Sequence, residues 1–222
     1  MKQLIKLITL FIVFNTAYAG TYTGIAVSND NQLGLNTITS KLYLDTHLTK
    51  DVVLYENIKY YYDDTTIKAL SNQWLDSNTL LTINNGGFFT TFGYRAYQQP
   101  NLNGEFKDRQ EFTNGYNSNL SDNLSQSTFI SGFRYSDGSL KISLENDLHY
   151  KINDLFSFDT NLSTYRYAQT KIIDDSYNLD GLIQLNYNIT TNMPLYVSQE
   201  LVRNLKTNQL INTTEIGIGY NW

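Results

Sequence analysis

Apolar and polar residues alternate along almost the whole chain after residue 20. The last ten residues pair one apolar parity with one small or polar parity: Ile216, Ile218, Tyr220 and Trp222 against Glu215, Gly217, Gly219 and Asn221. Successive side chains of a strand point to opposite faces, so this segment predicts a strand with a single apolar face. No segment after residue 20 carries the i, i+3, i+4 apolar stripe of an amphipathic helix.

Eleven further stretches of this kind precede the last one. The alternation predicts twelve strands: 21–29, 38–48, 52–62, 78–84, 88–97, 106–119, 127–135, 140–150, 155–167, 177–189, 195–203 and 213–222. Turn signals separate the fourth strand from the fifth (Asn84-Asn85-Gly86-Gly87) and the seventh from the eighth (Asp137-Gly138). Because the fourth stretch is short and the sixth is polar on nearly both faces, ten strands is the alternative count.

The connections between these stretches alternate in length. The short ones lie near 49–51, 85–87, 120–126, 151–154 and 190–194. The longer ones lie near 30–37, 63–77, 98–105, 168–176 and 204–212, with the tight Asp137-Gly138 turn as the exception. Short periplasmic turns, longer outer loops and an even strand number are typical of bacterial transmembrane barrels. The pattern therefore predicts an all-β protein, a closed antiparallel transmembrane β-barrel.

Two residues depart from the simple alternation, and a third, Arg134, follows it. Glu56 falls on the apolar parity of 52–62, which predicts a β-bulge there. Arg166 falls on the apolar parity of 155–167, which predicts either a bulge or a position beyond the bilayer edge. Arg134 alternates with Phe129, Phe133 and Tyr135, and we assign it to the inner face.

Composition narrows the class of protein further. Residues 1–19 have the features of a secretory signal: Lys2 and Lys6, an apolar core at 7–14 and Ala17-Tyr18-Ala19 as the cleavage site. Without Lys2 and Lys6, 14 basic residues oppose 21 acidic ones, a net charge of −7 that argues against a nucleic-acid partner. The chain has no Cys, which excludes a disulfide framework. We expect residues 20–222 to form one barrel domain.

The last strand resembles the C-terminal signature of Gram-negative outer-membrane β-barrel proteins. The resemblance rests on the alternating Ile216, Ile218 and Tyr220 followed by a terminal aromatic residue, Trp222. It implies a location in the cell outer membrane, in contact with its lipid. It also implies that Tyr220 and Trp222 belong to the segment that the barrel-assembly machinery reads.

The inner parity of the predicted strands supplies candidate pore-lining residues. The cations are Lys41, Lys59, Arg95, Lys107, Arg109, Arg134 and Lys141, and the anions are Asp45, Glu111, Glu145, Asp147, Asp159, Asp180, Glu200 and Glu215. Charged rings that line a lumen select solutes by their field and hydrogen bonding. The alternative is that these charges pair across the lumen and plug it, as in an eight-stranded barrel filled by its own side chains.

Residues 193–200 and 215–220 resemble the end of the small oligogalacturonate-specific porin family. The resemblance implies a monomeric twelve-stranded barrel with ladders of basic residues that attract acidic sugars. Residues from four consecutive strands could form one such ladder: Arg95, Lys107, Arg109, Arg134 and Lys141. Acidic residues are at least as numerous on the same parity, which argues against a preference for acidic sugars.

An enzyme is not expected from this sequence. Outer-membrane lipid hydrolases use a His near a Ser on the outer barrel face. The only histidines, His47 and His149, fall on the inner parity and lack a His-x-Ser motif. Two isolated His and no Cys also give no metal site, and no cofactor is expected. The predicted function is a channel for passive diffusion of small hydrophilic solutes, including oligosaccharides. The alternative is a closed barrel that acts in adhesion or envelope stability through its surface loops.

Overall fold

A closed antiparallel barrel is the architecture of the computed structural model, which describes residues 19–30, 35–63, 73–98, 108–136, 138–168 and 177–222. The described residues form β1 (Ala19–Asp30), β2 (Leu35–His47), β3 (Val52–Asp63), β4 (Gln73–Asn85), β5 (Phe88–Gln98), β6 (Arg109–Ser121), β7 (Leu124–Tyr135), β8 (Leu140–Lys151), β9 (Phe156–Ala168), β10 (Tyr177–Thr190), β11 (Met193–Asn204) and β12 (Leu210–Asn221). Neighbouring strands pair antiparallel, and β1 pairs with β12, which leaves no free edge. Residues 1–18 of the predicted signal lie outside the described residues.

The count of twelve strands is confirmed, and the alternative of ten is wrong. Both strands in question are 13 residues long and are paired on each side. β4 begins at Gln73, five residues earlier than the sequence predicts. A strand that spans hydrocarbon must pair its backbone whatever its side chains are, so weak alternation does not stop these two strands from spanning.

Most of the large apolar residues of this barrel lie on its outer face. Ile25, Ile183 and Ile216 are all more than half exposed. Small hydroxyl residues, by contrast, are buried on the inner face, where Thr82 bonds Thr91 at 2.8 Å and Thr113 bonds Ser131 at 2.7 Å. This inverted distribution is the one that a barrel surrounded by lipid requires. Among the described residues, no helix has the length and apolar character needed to cross a membrane.

The predicted bulge at Glu56 is wrong, and so is the bulge that was one of the two alternatives for Arg166; the other alternative, a position beyond the bilayer edge, stays a prediction. β3 keeps an unbroken register with β2 and β4, so that Glu56 lies opposite Leu44 and Thr79 on the outer face. β9 is equally regular against β8 and β10, which places Arg166 on the outer face as well. The register shifts that do occur lie next to tight turns, between Asn188 and Thr190 and between Asn119 and Ser121.

The two ends of the barrel differ in the length of their connections. Two-residue turns at 86–87, 122–123 and 191–192 lie at one end, which we call the short-turn end. Gly86 and Gly87 both adopt positive φ angles, 63° and 110°, which explains the Gly-Gly pair there. The opposite, long-loop end includes the β7–β8 connection, where Gly138 has a φ of 83°. Asp137 of that predicted turn lies outside the described residues.

Candidate functional site

The register places all but two of the candidate lining residues on the inner face. Lys41 lies opposite both Gly24 and Lys59, and Arg95 lies opposite Arg109. The residues that share this face are Lys41, Asp45, Lys59, Arg95, Arg109, Glu111, Lys141, Glu145, Asp147, Asp159, Asp180, Glu200 and Glu215. Lys107 lies outside the described residues. Whether these side chains line a conducting pore stays a prediction.

The assignment of Arg134 to the inner face is wrong. Arg134 lies opposite Gln110 and Leu140 on the outer face, while its neighbour Phe133 points inward and is only 6% exposed. The guanidinium carbon of Arg109 lies 4.5 Å from the centre of the Phe133 ring, and the ammonium of Lys141 lies 5.2 Å from it. A cation over an aromatic face is attracted by the ring quadrupole, so an aromatic residue can occupy a polar lumen. The predicted basic ladder is thus interrupted at β7 by Phe133.

The inward cations of β2, β5 and β6 each have a carboxylate partner, which for Lys41 of β2 is Glu215. Nε of Arg95 donates to Asp76 at 2.6 Å and Nη2 donates to the second carboxylate oxygen. Arg109 lies 3.4 Å from Glu111. Sequence reasoning missed Asp76 because it placed this residue in a loop before the fourth strand. Its buried carboxylate is nevertheless the partner that fixes Arg95 against the wall.

The acidic residues of β8 and β9 have a different set of partners. Ser143 donates to Glu145 at 2.6 Å, Asn161 donates to Asp147, and Asn186 donates to Asp159. His149 Nδ1 lies 2.5 Å from Asp159. These partners are hydroxyl, amide and imidazole groups, which orient a carboxylate without adding a fixed positive charge.

The balance of inward charge differs between opposite walls of the lumen. β2 to β6 carry four inward cations and three inward carboxylates: Lys41, Lys59, Arg95 and Arg109 with Asp45, Asp76 and Glu111. β8 to β12 carry six inward carboxylates and two inward cations: Glu145, Asp147, Asp159, Asp180, Glu200 and Glu215 with Lys141 and Lys151. In a closed barrel of twelve strands, each strand faces the one six positions away, so β3 faces β9 and β5 faces β11. The lumen therefore has a field across its width.

A cavity of about 340 Å³ lies against the acidic wall. Its polar lining comes from three adjacent strands near the short-turn end: Ser125, Ser127, Asp147, His149, Asp159 and Asn161. At the short-turn end of β8, the Lys151 ammonium lies 2.6 Å from the Asp154 carboxylate of the β8–β9 turn. This hydrogen bond holds the pKa of the Asp154 carboxyl below its usual value. Among the described residues, no group of three or more His, Cys, Asp or Glu side chains is arranged to hold a metal ion.

Tyrosine rings lie flat on glycines where the barrel closes, across β11, β12, β1 and β2. A Cβ atom at Gly217 would overlap the ring of Tyr196, and one at Gly219 would overlap the ring of Tyr22. The Tyr196 hydroxyl donates to Glu215 at 2.6 Å, and Lys41 donates to the same hydroxyl at 2.6 Å. Lys41 also contacts Glu215 directly at 2.6 Å. Sequence reasoning missed these tyrosines, although the run of inner-parity glycines in β12 signals large neighbours.

Apolar outside, charged inside and closed by β1 and β12, the chain has the architecture of a transmembrane β-barrel with a polar lumen. It is similar to the solved structure of the KdgM porin in complex with disordered oligogalacturonate (TM-score 0.61, 12% identity, 90% of this chain and 99% of that one). It is also similar to the NanC porin (TM-score 0.66, 10% identity, 89% and 98%) and to an outer membrane channel from Pseudomonas putida F1 (TM-score 0.59, 12% identity, 92% and 94%).

These likenesses confirm, at the level of the fold, the resemblance to outer-membrane barrels and to the oligogalacturonate porins. At 10–12% identity they carry the fold alone. No protein-family model matches the sequence, and no curated protein matches it significantly.

Proposed function

We propose that the protein is a monomeric channel in the outer membrane for passive diffusion of small hydrophilic solutes, including oligosaccharides. The observation that carries this proposal is the inner face of the barrel, where charged side chains occupy two opposing walls. Eight-stranded barrels are filled by their own side chains, whereas wider barrels leave room for a channel. The short-turn end faces the periplasm in this proposal, as is usual in this class.

The inner aromatic residues support an open lumen. The rings of Tyr22 and Tyr196 lie on the glycines of β12 and β1, so they follow the wall instead of crossing the interior. Lys141 is held in the same way, with its ammonium 4.0 Å from the centre of the Tyr165 ring. Large side chains held against the wall favour a free barrel axis over a filled one.

The charge of the lining favours cations and neutral solutes over anions. Among the side chains that the structure describes, nine inward carboxylates oppose six inward cations. This count includes the thirteen inward residues given above, together with Asp76 and Lys151. An excess of carboxylate charge repels acidic sugars, so the preference of this channel differs from the one that the oligogalacturonate porin resemblance implies.

Swelling of proteoliposomes tests the channel. Purified full-length protein, refolded into vesicles, is expected to let arabinose enter rapidly and a trisaccharide more slowly. Glucuronate is expected to enter more slowly than glucose, because the acidic wall repels its carboxylate. If vesicles that contain the protein swell no faster than empty vesicles, the channel proposal is contradicted.

Neutralising the acidic wall is expected to reduce the preference for cations. In a KCl gradient, the variant Glu145→Gln/Asp147→Asn/Asp159→Asn should lower the K⁺ to Cl⁻ permeability ratio by about twofold or more. The matched control is Asp51→Asn, which removes a carboxylate from the β2–β3 turn, outside the lumen. A ratio that is unchanged in the triple variant would show that these residues do not face the ion path.

A closed barrel acting through its surface loops is the second candidate. The ion pairs of Arg95 with Asp76 and of Lys41 with Glu215 favour it, because such pairs stiffen a filled interior. Absence of solute entry together with normal folding would select this candidate. Neither candidate involves catalysis: both histidines lie on the inner parity, away from a lipid substrate.

We also propose that Tyr220 and Trp222 form the segment recognised by the barrel-assembly machinery. Trp222 is 75% exposed, packs its ring on Tyr220 at 4.9 Å and bonds Thr21 through its backbone amide at 2.9 Å. Trp222→Ser is expected to lower the amount of assembled protein in the outer membrane severalfold. The control is Leu210→Ser, at the other end of β12 and equally outward. Equal assembly of both variants would contradict the assignment.

A further inference from the structure

Outward-facing arginines are confined to one level of the barrel. In the described strands, every basic side chain on the outer face lies within two residues of the long-loop end: Arg134 in β7, Arg166 in β9 and Arg203 in β11. The remaining basic residues of these strands point into the lumen. We call these three residues the arginine rim. Because all three side chains face away from the lumen, solute transport does not explain them.

An apolar or aromatic side chain on the next strand lies opposite each of the three arginines. Leu140 of β8 lies opposite Arg134, Tyr177 of β10 lies opposite Arg166, and Leu210 of β12 lies opposite Arg203. Adjacent strands are about 4.8 Å apart, so successive arginines are about 10 Å apart around the barrel. The surface therefore alternates cationic and apolar positions over five strands, which fits a ligand that has both anionic groups and acyl chains.

The local contacts keep the guanidinium groups at the surface. Arg166 lies over the ring of Tyr177, with 5.0 Å between the guanidinium carbon and the ring centre. Nε and Nη2 of Arg203 donate to the side-chain oxygen of Asn208 at 3.0 and 2.5 Å, a neutral partner in the β11–β12 turn. A guanidinium retains its charge in such contacts, and its other N–H donors match the oxygens of a phosphate group.

We propose that the arginine rim binds the phosphate groups of a phosphorylated, acylated glycolipid in the outer leaflet of the membrane. The long-loop end is the outer end in the orientation proposed above, so the rim lies at headgroup depth. Arginine on a lipid-facing surface is costly near the bilayer centre and tolerated near its interface, which agrees with the position of all three residues. Anionic headgroups attract basic residues at this depth. The inference rests on the proposed outer-membrane location and orientation, and it does not depend on conduction.

Binding of lipid A to the refolded full-length protein tests the rim. The probe is diphosphorylated lipid A in detergent micelles, with the dissociation constant read by native mass spectrometry. Arg134→Gln/Arg166→Gln/Arg203→Gln is expected to weaken binding about tenfold or more. The control variant, Lys50→Gln/Lys151→Gln, removes cations from the short-turn end and should bind as the wild type does. Equal affinity of the triple variant and the wild type would overturn the proposal.

Two further arms make the result specific. Monophosphorylated lipid A should bind the wild type more weakly than the diphosphorylated form, and phosphatidylglycerol should bind more weakly still. If phosphatidylglycerol binds as tightly as lipid A, the proposal of a glycolipid site is wrong. If the triple Gln variant fails to fold, Arg134→Lys/Arg166→Lys/Arg203→Lys takes its place in the test. Because lysine keeps the positive charge but lacks the paired donors of a guanidinium, this variant should bind lipid A more weakly than the wild type does.

Conductance in bilayers free of lipid A separates this proposal from the proposed function. The triple Gln variant is expected to conduct as the wild type does, because the rim is outside the lumen. If neither protein conducts but lipid A binding still depends on the arginines, the channel proposal fails and the lipid site stands.

Discussion

Replacing Arg95 by Met is expected to destabilise the barrel by about 3–5 kcal/mol, the usual cost of removing one partner of a buried ion pair. The Asp76 side chain is only 2% exposed and receives two hydrogen bonds from the Arg95 guanidinium. Without Arg95, the carboxylate stays buried with its main cationic partner gone. The measurement is the free energy of unfolding in lipid vesicles, obtained by urea titration.

Two variants show whether the buried carboxylate causes this loss. Arg95→Met/Asp76→Leu removes both charges and should recover most of the lost free energy of unfolding, since an apolar pair of similar volume often replaces a buried ion pair at little cost. Arg109→Met is the matched control, because its partner Glu111 is 3.4 Å away and more accessible to water, and it should cost less. If Arg95→Met unfolds at the same urea concentration as the wild type, the pair does not stabilise the fold.

Adding a single methyl group at Gly219 is expected to cost about 1–3 kcal/mol or more, in the range measured for overpacked interiors. The Cβ of Gly219→Ala would overlap the ring of Tyr22, which lies flat against the wall where β12 meets β1. The ring would have to turn into the lumen or the two strands would have to separate. The expected readouts are a lower free energy of unfolding and a reduced single-channel conductance.

Gly181→Ala provides the matched control for this prediction. Gly181 lies within β10, and nothing lies within 4 Å of the position that its Cβ would take. Its replacement should leave stability and conductance nearly unchanged. The double variant Gly219→Ala/Tyr22→Ser should restore the closure of the barrel, because the ring that the methyl group displaces is gone. A Gly219→Ala variant as stable as Gly181→Ala would contradict the role of the tyrosine–glycine contacts.

The number of strands could be predicted from the sequence, and so could the lipid-facing sides of the strands that alternate clearly. The reason is that lipid acts on every outward position in the same way, so β8 and β10 carry an almost unbroken apolar parity: Leu140, Ile142 and Leu144, for instance, all lie on the outer face. The two ends of the barrel were predicted from the alternation of short and longer connections. The strand limits were less certain where both faces are polar, as in β6.

The errors in assigning residues to the inner or outer face occurred in strands that lack one clearly apolar face and one clearly polar face. Phe133 points inward because it packs against the cations Arg109 and Lys141, and so parity alone placed Arg134 on the wrong side. Glu56 lies on the lipid-facing side without a bulge. Both cases show that the alternation of a barrel strand is an average over many side chains and does not fix each residue.

Partners within the lumen could not be predicted from the sequence. Lys41 and Glu215 are 174 positions apart, and only the pairing of β1 with β12 brings them together. Their contact depends on the register of three strands, which alternation does not specify. The separation of charge between the two walls was equally hidden, since it appears only once the order of strands around the barrel is known.

Single-channel recording across a planar lipid bilayer tests the central claim that the lumen is open. Purified, refolded protein of the full sequence is expected to give steady, stepwise conductance in KCl, with a reversal potential that shows a preference for K⁺ over Cl⁻. A folded protein that inserts but produces no conductance steps would contradict the account.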